Sequence, residues 1–313
     1  MKGIEISEKY FNEFGKPMLE NDFPDIVDKL ACGIVGSGSE CFGFDDEVSR
    51  DHDFDPGFCV FLPGEDIIDR KTEFQLERAY AKLPKEYEGV KKNLLSPVGG
   101  ARRGVIRLED FLKEKLGTGS GELTISDWLT IPEQSLLEVT SGKIFFDNYG
   151  KVITIRNSLS QYPEDIRLKK LAGHLLLMAQ SGQYNYKRCL DHGENAAAQM
   201  AVYEFVKHTM SAIFLLNNVY MPYYKWSFRA LRQLPKLSIE AKIMEYLITT
   251  DNSADIAEEK YYAIEGVAAD VIDELAEQSI TKAICGDLEK HAYSVNDHII
   301  DADIRNMHIL AAV

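Results

Sequence analysis

Apolar residues recur along the chain with two different spacings, and the change between them divides the sequence into two parts. Over residues 1–157, short apolar runs such as 30–35 alternate with stretches of helical spacing, which predicts strands mixed with helices. After Pro163 the spacing is helical almost throughout. The pattern therefore predicts an α+β protein, with a mixed sheet and flanking helices over 1–157 and an all-α helical bundle over 158–313.

Local signals predict the individual elements. In the second part we expect helices over six stretches: 163–181, 186–219, 224–234, 238–250, 253–281 and 286–311. In the first part, residues 104–107 are predicted to form a short strand and residues 108–116 a helix. The residues Asn148-Tyr149-Gly150 lie between two apolar runs, 143–146 and 152–155, and a turn of this kind favours a β-hairpin.

The balance of charges narrows the class of partner. The chain carries 50 acidic against 35 basic residues, a formal net charge of -15. Such a surface repels phosphate backbones and acidic membranes, so we expect a small-molecule or protein substrate rather than a long nucleic acid. The sequence also has no run of about 18 apolar residues, which a membrane-spanning helix requires.

The cysteines and the first residues bear on the cellular compartment. The five cysteines are scattered, odd in number and without a CxxC pair, which is typical of reduced thiols rather than of a disulfide framework. The opening residues, MKGIEISEKYF, contain no apolar run followed by a small-residue cleavage site. We therefore expect a cytoplasmic protein, and the sequence leaves its oligomeric state open.

A glycine–serine turn follows the first predicted strand. Gly36 and Ser37 end the apolar run, and Ser39 comes soon after. A turn without side-chain bulk lets backbone N–H groups approach a phosphate, and a serine hydroxyl adds a donor. A helix beginning near Ser39 would add a favourable field for an anion at its N-terminus. These three residues are therefore candidate phosphate ligands, although an ordinary turn has the same composition.

Two aspartates, Asp51 and Asp53, stand at the start of a second predicted strand. Residues i and i+2 of a strand point to the same face, so the two carboxylates repel each other unless a cation lies between them. Divalent cations prefer oxygen ligands, and Mg²⁺ held there would activate a hydroxyl and stabilise a leaving pyrophosphate. The alternative is a solvated acidic loop end, because further acidic residues lie close by in sequence.

A third carboxylate and several cations complete the candidate site. Asp147 ends the apolar run at 143–146, where it would be a third metal ligand and the base for an acceptor hydroxyl, or else a turn-forming aspartate. The candidate partners for a triphosphate are Arg50, Arg102, Arg103 and Lys225, since an arginine binds a phosphate through two parallel hydrogen bonds. Each of these cations is also consistent with an ordinary surface position.

The order of these features resembles the nucleotidyltransferase superfamily of DNA polymerase beta and kanamycin nucleotidyltransferase. The stretch GSGSECFGFDDEVSRDHD is similar to a bacterial nucleotidyltransferase-like family within it, and the similarity continues through RRGVIRLEDFL, SDWLTIPEQSLLEVTSGKIFFD and FLLNNVYMPYYKW. The resemblance implies that Gly36 and Ser37 hold a nucleoside triphosphate and that Asp51 and Asp53 bind two Mg²⁺ ions. It also implies transfer of a nucleoside monophosphate, with AMP from ATP favoured, to a hydroxyl of a small molecule or protein, releasing pyrophosphate.

Two other functions stay open at this point. The dipeptide His52-Asp53 also suits a metal-dependent phosphohydrolase, but such sites need further histidines on helices, and here the other histidines are distant in sequence. A nucleotide-binding or antitoxin-like module that kept the fold and lost turnover is the second alternative. A missing third carboxylate would favour this inactive module. Replacing Asp147 is therefore the change that distinguishes the module from an enzyme.

Overall fold

The computed structural model describes residues 2–46, 56–91 and 103–313. It is a mixed α+β structure, 59% helical, with a small mixed sheet. The α+β class expected from the spacing of apolar residues is therefore confirmed at this level of detail.

The chain divides into two compact units. One consists of residues 1–124 and 131–160, and the other of residues 125–130 and 161–313. The later boundary lies close to the change of pattern near residue 158. Residues 125–130 belong to the second unit although they come earlier in the chain than this boundary. Nothing in the sequence pattern predicts that they do.

The first unit contains the sheet, with helices around it. The described α-helices and strands up to residue 160, including α5 of the second unit, are α1 (Gly3–Tyr10), α2 (Lys16–Asp22), β1 (Ala31–Ile34), β2 (Cys59–Leu62), α3 (Arg70–Ala81), β3 (Glu86–Tyr87), β4 (Val90–Lys91), β5 (Gly104–Arg107), α4 (Leu108–Leu116), α5 (Ile125–Thr130), α6 (Glu133–Thr140), β6 (Lys143–Asp147) and α7 (Lys151–Ser158). A π-helical segment (Phe11–Gly15) joins α1 to α2, and a 3-10 turn (Val27–Lys29) precedes β1. Strands β3 and β4 form a separate two-stranded sheet. The predicted strand at 104–107 and helix at 108–116 are confirmed.

The main sheet has the strand order β5-β2-β1-β6. Strand β1 runs antiparallel to both of its neighbours, while β2 and β5 run parallel to each other. In the register, Gly33 faces Cys59, Ile34 faces Lys143, and Cys59 in turn faces Gly104. The end of β1 therefore lies beside the beginnings of β2, β5 and β6. We call this edge the turn end of the sheet, because the Gly36-Ser37 turn follows β1 there.

The core of the first unit is rich in aromatic side chains, and one of them fixes the approach to β2. The Tyr80 hydroxyl accepts a hydrogen bond from the Phe58 N–H at 3.0 Å and donates one to the Phe58 carbonyl at 2.8 Å. Tyr80, Phe58, Tyr10 and Phe11 are all buried. Buried aromatic pairs in edge-to-face contact, such as Phe11 with Phe58 at 5.0 Å between centroids, stabilise a packed core beyond their buried area.

The hairpin expected at 143–155 is wrong, because residues 151–158 form helix α7. The Asp147 carboxylate accepts hydrogen bonds from the N–H groups of Gly150 at 2.7 Å and Ile153 at 2.8 Å, which satisfies donors at the start of the helix. Val152 and Ile155 share the buried face. Capping and burial therefore outweigh the strand preference of a β-branched run, which is strongly context-dependent.

The regular elements of the second unit are all helices, and every residue of this unit is described. After α5 they are α8 (Glu164–Met178), a π-helical segment (Ala179–Tyr186), α9 (Lys187–Asp191), α10 (Asn195–Leu216), α11 (Tyr224–Leu231), α12 (Glu240–Thr249), α13 (Ala254–Glu277), α14 (Leu288–Asp297) and α15 (Ala302–Asn306). Each of the six predicted helical stretches is helical in the structure, and some of these stretches contain two separate helices. Within the described part of the chain, no helix has both the length and the apolar character that crossing a membrane takes.

Two lysines of the second unit are completely buried. The Lys169 ammonium donates to the Asn296 side chain at 2.9 Å and to the Met307 carbonyl at 2.7 Å. The Lys260 ammonium donates to the Thr250 carbonyl at 2.7 Å and to the Gln199 side chain at 2.9 Å. These partners are neutral oxygens, and the carbonyls lie at helix C-termini, where a positive charge is favourable.

A histidine pair joins α8 and α10. The Nδ1 atoms of His174 and His208 are 2.9 Å apart, so one ring donates to the other. Burial lowers the pKa of His174 well below its usual value and that of His208 to about 4. Both rings are therefore neutral at physiological pH, as a shared hydrogen bond between them requires.

Candidate functional site

The Gly36-Ser37 turn leaves β1 at the turn end of the sheet. Gly36 has a φ of +110°, a left-handed conformation that favours glycine. Its N–H already donates to the Glu138 carbonyl at 3.1 Å and is therefore engaged within the protein. Ser37 is partly exposed. Of the two residues, Ser37 is therefore the one whose N–H and hydroxyl groups a ligand could reach, because it is partly exposed.

The residues after Ser37 form consecutive turns rather than the expected helix. The Cys41 N–H donates to the Gly38 carbonyl at 2.9 Å, and the Phe44 N–H donates to the Ser39 carbonyl at 2.9 Å. Residues 36–44, here called the turn segment, contain no helix. The expectation of a helix dipole near Ser39 is therefore wrong, and Ser39 itself is only 6% exposed.

Asp51 and Asp53, the predicted metal ligands, lie outside the described residues, as do Arg50 and Arg102. So does His52, on which the phosphohydrolase reading depends. The described residues that follow the two gaps do meet. A side chain added to Gly57 would lie 3.1 Å from Cγ of Arg103, so the backbone at Gly57 packs directly against that side chain.

Arg103 forms a buried ion pair with Glu40 of the turn segment. The guanidinium donates to the Glu40 carboxylate, and the two side chains are only 5% and 4% exposed. A charge is buried at acceptable cost only when it is paired and hydrogen-bonded. The pair therefore connects the turn segment to the beginning of β5. No local sequence pattern predicts this pair, because its two residues are far apart in the chain.

Two cysteines lie beside this ion pair. Burial raises the pKa of Cys41 to about 12, against the lowering effect of Arg103, and it also raises the pKa of Cys59. Both thiols therefore stay protonated near neutral pH. Since the thiolate is the reactive form, neither cysteine supplies a nucleophile here.

Asp147 lies at the other end of the sheet from the Gly-Ser turn. It faces Ala31, the first residue of β1, whereas Gly36 follows the last residue of that strand. At about 3.3 Å per residue, these positions are roughly 16 Å apart along the strand. Asp147 also caps α7, as described above. The structure does not bring Asp147 to the turn, and the contacts described for it are those of a cap on α7. Its role as third metal ligand and base stays a prediction, because Asp51 and Asp53 lie outside the described residues.

Lys225 belongs to the second unit. It is the second residue of α11, and its ammonium lies 5.0 Å from the centroid of the Trp226 ring. Arg229 approaches the same ring at 5.8 Å. These cation–π contacts account for the position of Lys225 within its own unit. The residues described at the turn end of the sheet do not include Lys225.

Within 2–46, 56–91 and 103–313, no three histidine, cysteine or acidic side chains are grouped so as to hold a metal ion. The two carboxylates expected to bind Mg²⁺ are not among these residues.

Comparison with known proteins gives one match. The model of a domain of unknown function, DUF4037, matches residues 128–227 of the 313-residue chain. The matched part includes β6 and extends to α11, and it does not include the turn segment. No curated protein sequence and no solved structure matches the chain.

Proposed function

We propose that the protein is a Mg²⁺-dependent nucleotidyltransferase. It would transfer a nucleoside monophosphate, with AMP from ATP as the favoured donor, to a hydroxyl of a small molecule or protein, releasing pyrophosphate. The observation that supports this most is the meeting of three features at the turn end of the sheet. They are the Gly36-Ser37 turn, the approach to β2 through Gly57, and the approach to β5 through Arg103.

The topology supports the proposal through chain connection. Residues 47–55, which carry Asp51 and Asp53, continue directly into Pro56 and Gly57. Residues 92–102, which carry Arg102, continue directly into Arg103. Both segments therefore rejoin the described structure beside the end of β1. A phosphate-binding turn, a pair of carboxylates and a cation would all be drawn from elements that meet there.

The reaction places separate demands on these residues. The acceptor oxygen attacks the α-phosphorus, the bond from that phosphorus to the bridging oxygen breaks, and pyrophosphate leaves with the electron pair. Ser37 would donate to the phosphates, and Asp51 and Asp53 would hold Mg²⁺, which supplies charge neutralisation for the triphosphate. The proton of the acceptor hydroxyl would pass to bulk water, because Asp147 caps α7 at the other end of the sheet.

The test uses conservative substitutions with a matched control. We expect Asp51→Asn and Asp53→Asn each to reduce Mg²⁺-dependent pyrophosphate release by on the order of 100-fold or more, because charge stabilisation in the transition state is lost. Asp147→Asn should leave the release unchanged, since Asp147 lies at the other end of the sheet from the Gly-Ser turn and asparagine keeps one acceptor oxygen for the start of α7. The measurement incubates each variant with each of the four labelled triphosphates, Mg²⁺ and a cell extract, and follows both pyrophosphate and the labelled acceptor.

Two outcomes would contradict parts of this proposal. Pyrophosphate release by Asp51→Asn at the wild-type rate would exclude the metal-site role of that residue. Loss of release in Asp147→Asn, with unchanged folding, would return Asp147 to the catalytic site.

One observation favours a second candidate, a nucleotide-binding module without turnover. Asp147 is not at the turn end, and Glu40, which is there, is already paired with Arg103. A site without a third carboxylate is consistent with binding alone. Tight Mg²⁺-ATP binding with no pyrophosphate release, in the presence of extract, would support this module over the enzyme.

A further inference from the structure

Strand β5 carries a buried arginine–glutamate pair at each of its ends. Arg103 precedes its first residue and pairs with Glu40, as described above. Arg107 is its last residue and pairs with Glu73 of α3 at 2.8 Å, with side chains 5% and 12% exposed. The two pairs have the same chemistry and similar burial, and they differ in which part of the fold they attach to the strand.

The Glu40 pair attaches the turn segment. The α-carbon of Gly38 lies against the Glu40 carboxylate so closely that there is no room for a side chain at that position. The segment therefore wraps around the carboxylate, and its own hydrogen bond from Cys41 N–H to the Gly38 carbonyl closes the turn. On the other side, Arg103 covers Gly57 next to β2. The pair thus fixes the turn segment against the beginnings of two strands.

The Arg107 pair attaches a different region. Its guanidinium donates to the carbonyls of Pro63 at 2.7 Å and Ile68 at 2.8 Å, as well as to Glu73. These contacts hold the loop after β2 and the start of α3 at the far end of β5. Loss of the Arg107 pair would lower the stability of the protein without displacing the Gly36-Ser37 turn.

We propose that Glu40 and Arg103 are positioning residues for the triphosphate site, an inference that rests on the function proposed above. Arg103 does not act as a phosphate ligand, because its charge is matched by Glu40. The pair acts through Ser37 and through the chain entering β2, holding them in one arrangement before the nucleotide arrives. Pre-organised donors bind a ligand without the cost of ordering them, and a misplacement of about 1 Å can reduce activity by about 100-fold.

The experiment compares matched substitutions in the full chain: Glu40→Gln and Arg103→Lys at one end of β5, Glu73→Gln and Arg107→Lys at the other. Isothermal titration with Mg²⁺-ATP and with AMP gives Kd, steady-state pyrophosphate release gives KM and kcat, and urea titration gives the unfolding midpoint. We expect Glu40→Gln to raise the Kd and KM for ATP about tenfold or more, with a much smaller change for AMP. Arg103→Lys, which keeps the charge, should recover part of the affinity that Arg103→Met loses.

The Glu73 and Arg107 variants are the control for a purely structural effect. We expect them to lower the unfolding midpoint to a similar extent and to leave the Kd for ATP within about twofold of wild type. If Glu40→Gln does not fold, the double variant Glu40→Gln/Arg103→Gln leaves no unpaired buried charge and serves the same titration.

The outcomes separate this inference from the function on which it rests. Wild-type protein that neither binds Mg²⁺-ATP nor releases pyrophosphate overturns the proposed function, and the inference with it. Wild-type protein that does both, while Glu40→Gln and Glu73→Gln change the Kd for ATP equally or not at all, overturns the positioning role alone.

Discussion

The two units bury polar groups in different ways. In the first unit, Arg103 and Arg107 each face a carboxylate. In the second unit, the completely buried Lys169 and Lys260 donate to neutral oxygens, and His174 and His208 form an uncharged pair. The two arginine pairs compensate charge with charge, as Arg167 and Glu164 also do in the second unit. The two lysines and the histidine pair instead rely on neutral acceptors or on the absence of charge.

The buried titratable groups of the second unit set the pH range over which its stability changes. In the second unit, burial lowers the pKa of His208 to about 4 and raises the pKa of Glu240 to about 7, the latter with a contribution from Asp270. Stability depends on pH wherever a pKa differs between the folded and unfolded states. We therefore expect two opposing effects between about pH 4.5 and 7: the histidine pair lowers stability as the pH falls, and Glu240 lowers it as the pH rises toward 7.

The largest effect is expected from Lys260→Met. The change removes the buried ammonium that donates to three part-buried acceptors, namely the Thr250 carbonyl and the side chains of Gln199 and Asn252. The two side chains keep a second donor each, Asn252 for Gln199 and Tyr186 for Asn252. Because a hydrogen bond from a charged group contributes about 1.5–3 kcal/mol, we expect a loss of about 3 kcal/mol in the free energy of unfolding. Urea denaturation measures it, with the exposed Lys242→Met on α12 as the control. A loss no larger than that of the control would show that the neutral acceptors do not need the ammonium.

The next effect is acid destabilisation through the histidine pair. The folded state keeps both rings neutral, while the unfolded chain binds protons below a pKa of about 6.5. Stability is therefore present above that pH and is lost as the pH falls toward 4. We expect a loss of about 2 kcal/mol between pH 7 and pH 5. Hydrogen exchange should show it in α8 and α10 before the sheet of the first unit.

The control for this effect replaces histidines separately. The double variant His174→Gln/His208→Gln should reduce the dependence on pH between 7 and 5, whereas the exposed His192→Gln should leave it unchanged. If the double variant still loses stability at acid pH, groups other than these two histidines cause the loss.

The smallest effect is a gain of stability from Glu240→Gln at alkaline pH. Because the folded-state pKa is raised to about 7, the folded protein prefers the protonated carboxyl. The cost of ionising it grows as the pH rises from about 4.5 to 7 and is complete above that range. We expect the variant to be more stable than wild type by about 1–2 kcal/mol at pH 8 and equally stable at pH 4.5.

Thermal unfolding at the two pH values measures the difference, with the exposed Glu258→Gln as control. A gain of the same size at both pH values would contradict the assignment to ionisation of Glu240.

The fold was predictable from the sequence where local signals are sufficient. Apolar spacing identified the helices of the second unit, and the strand at 104–107 with the helix at 108–116 followed from pattern alone. The run at 152–155 was not predictable in this way. Its β-branched residues favour a strand, and only the capping contacts of Asp147 and the burial of one face make it helical.

The candidate site was predictable only in part, for a related reason. The Gly36-Ser37 turn is a local feature, and it lies at the end of β1 as expected. The Glu40–Arg103 pair depends on a contact between residues 63 apart, which no spacing rule records. The position of Asp147 depends on the antiparallel register of β6, which places the end of that strand beside the beginning of β1.

The buried Lys169 has a consequence for the order in which the protein folds during synthesis. Its acceptors come from residues 127 to 138 positions later in the chain. At about 5–20 residues per second, the ribosome needs roughly 6 to 28 seconds to supply them. The arginine pairs of the first unit span only 63 and 34 residues, so that unit can close its pairs first. Until those residues emerge, the Lys169 ammonium stays hydrated and α8 cannot take its buried position, so we expect α8 to pack after the first unit has closed its arginine pairs.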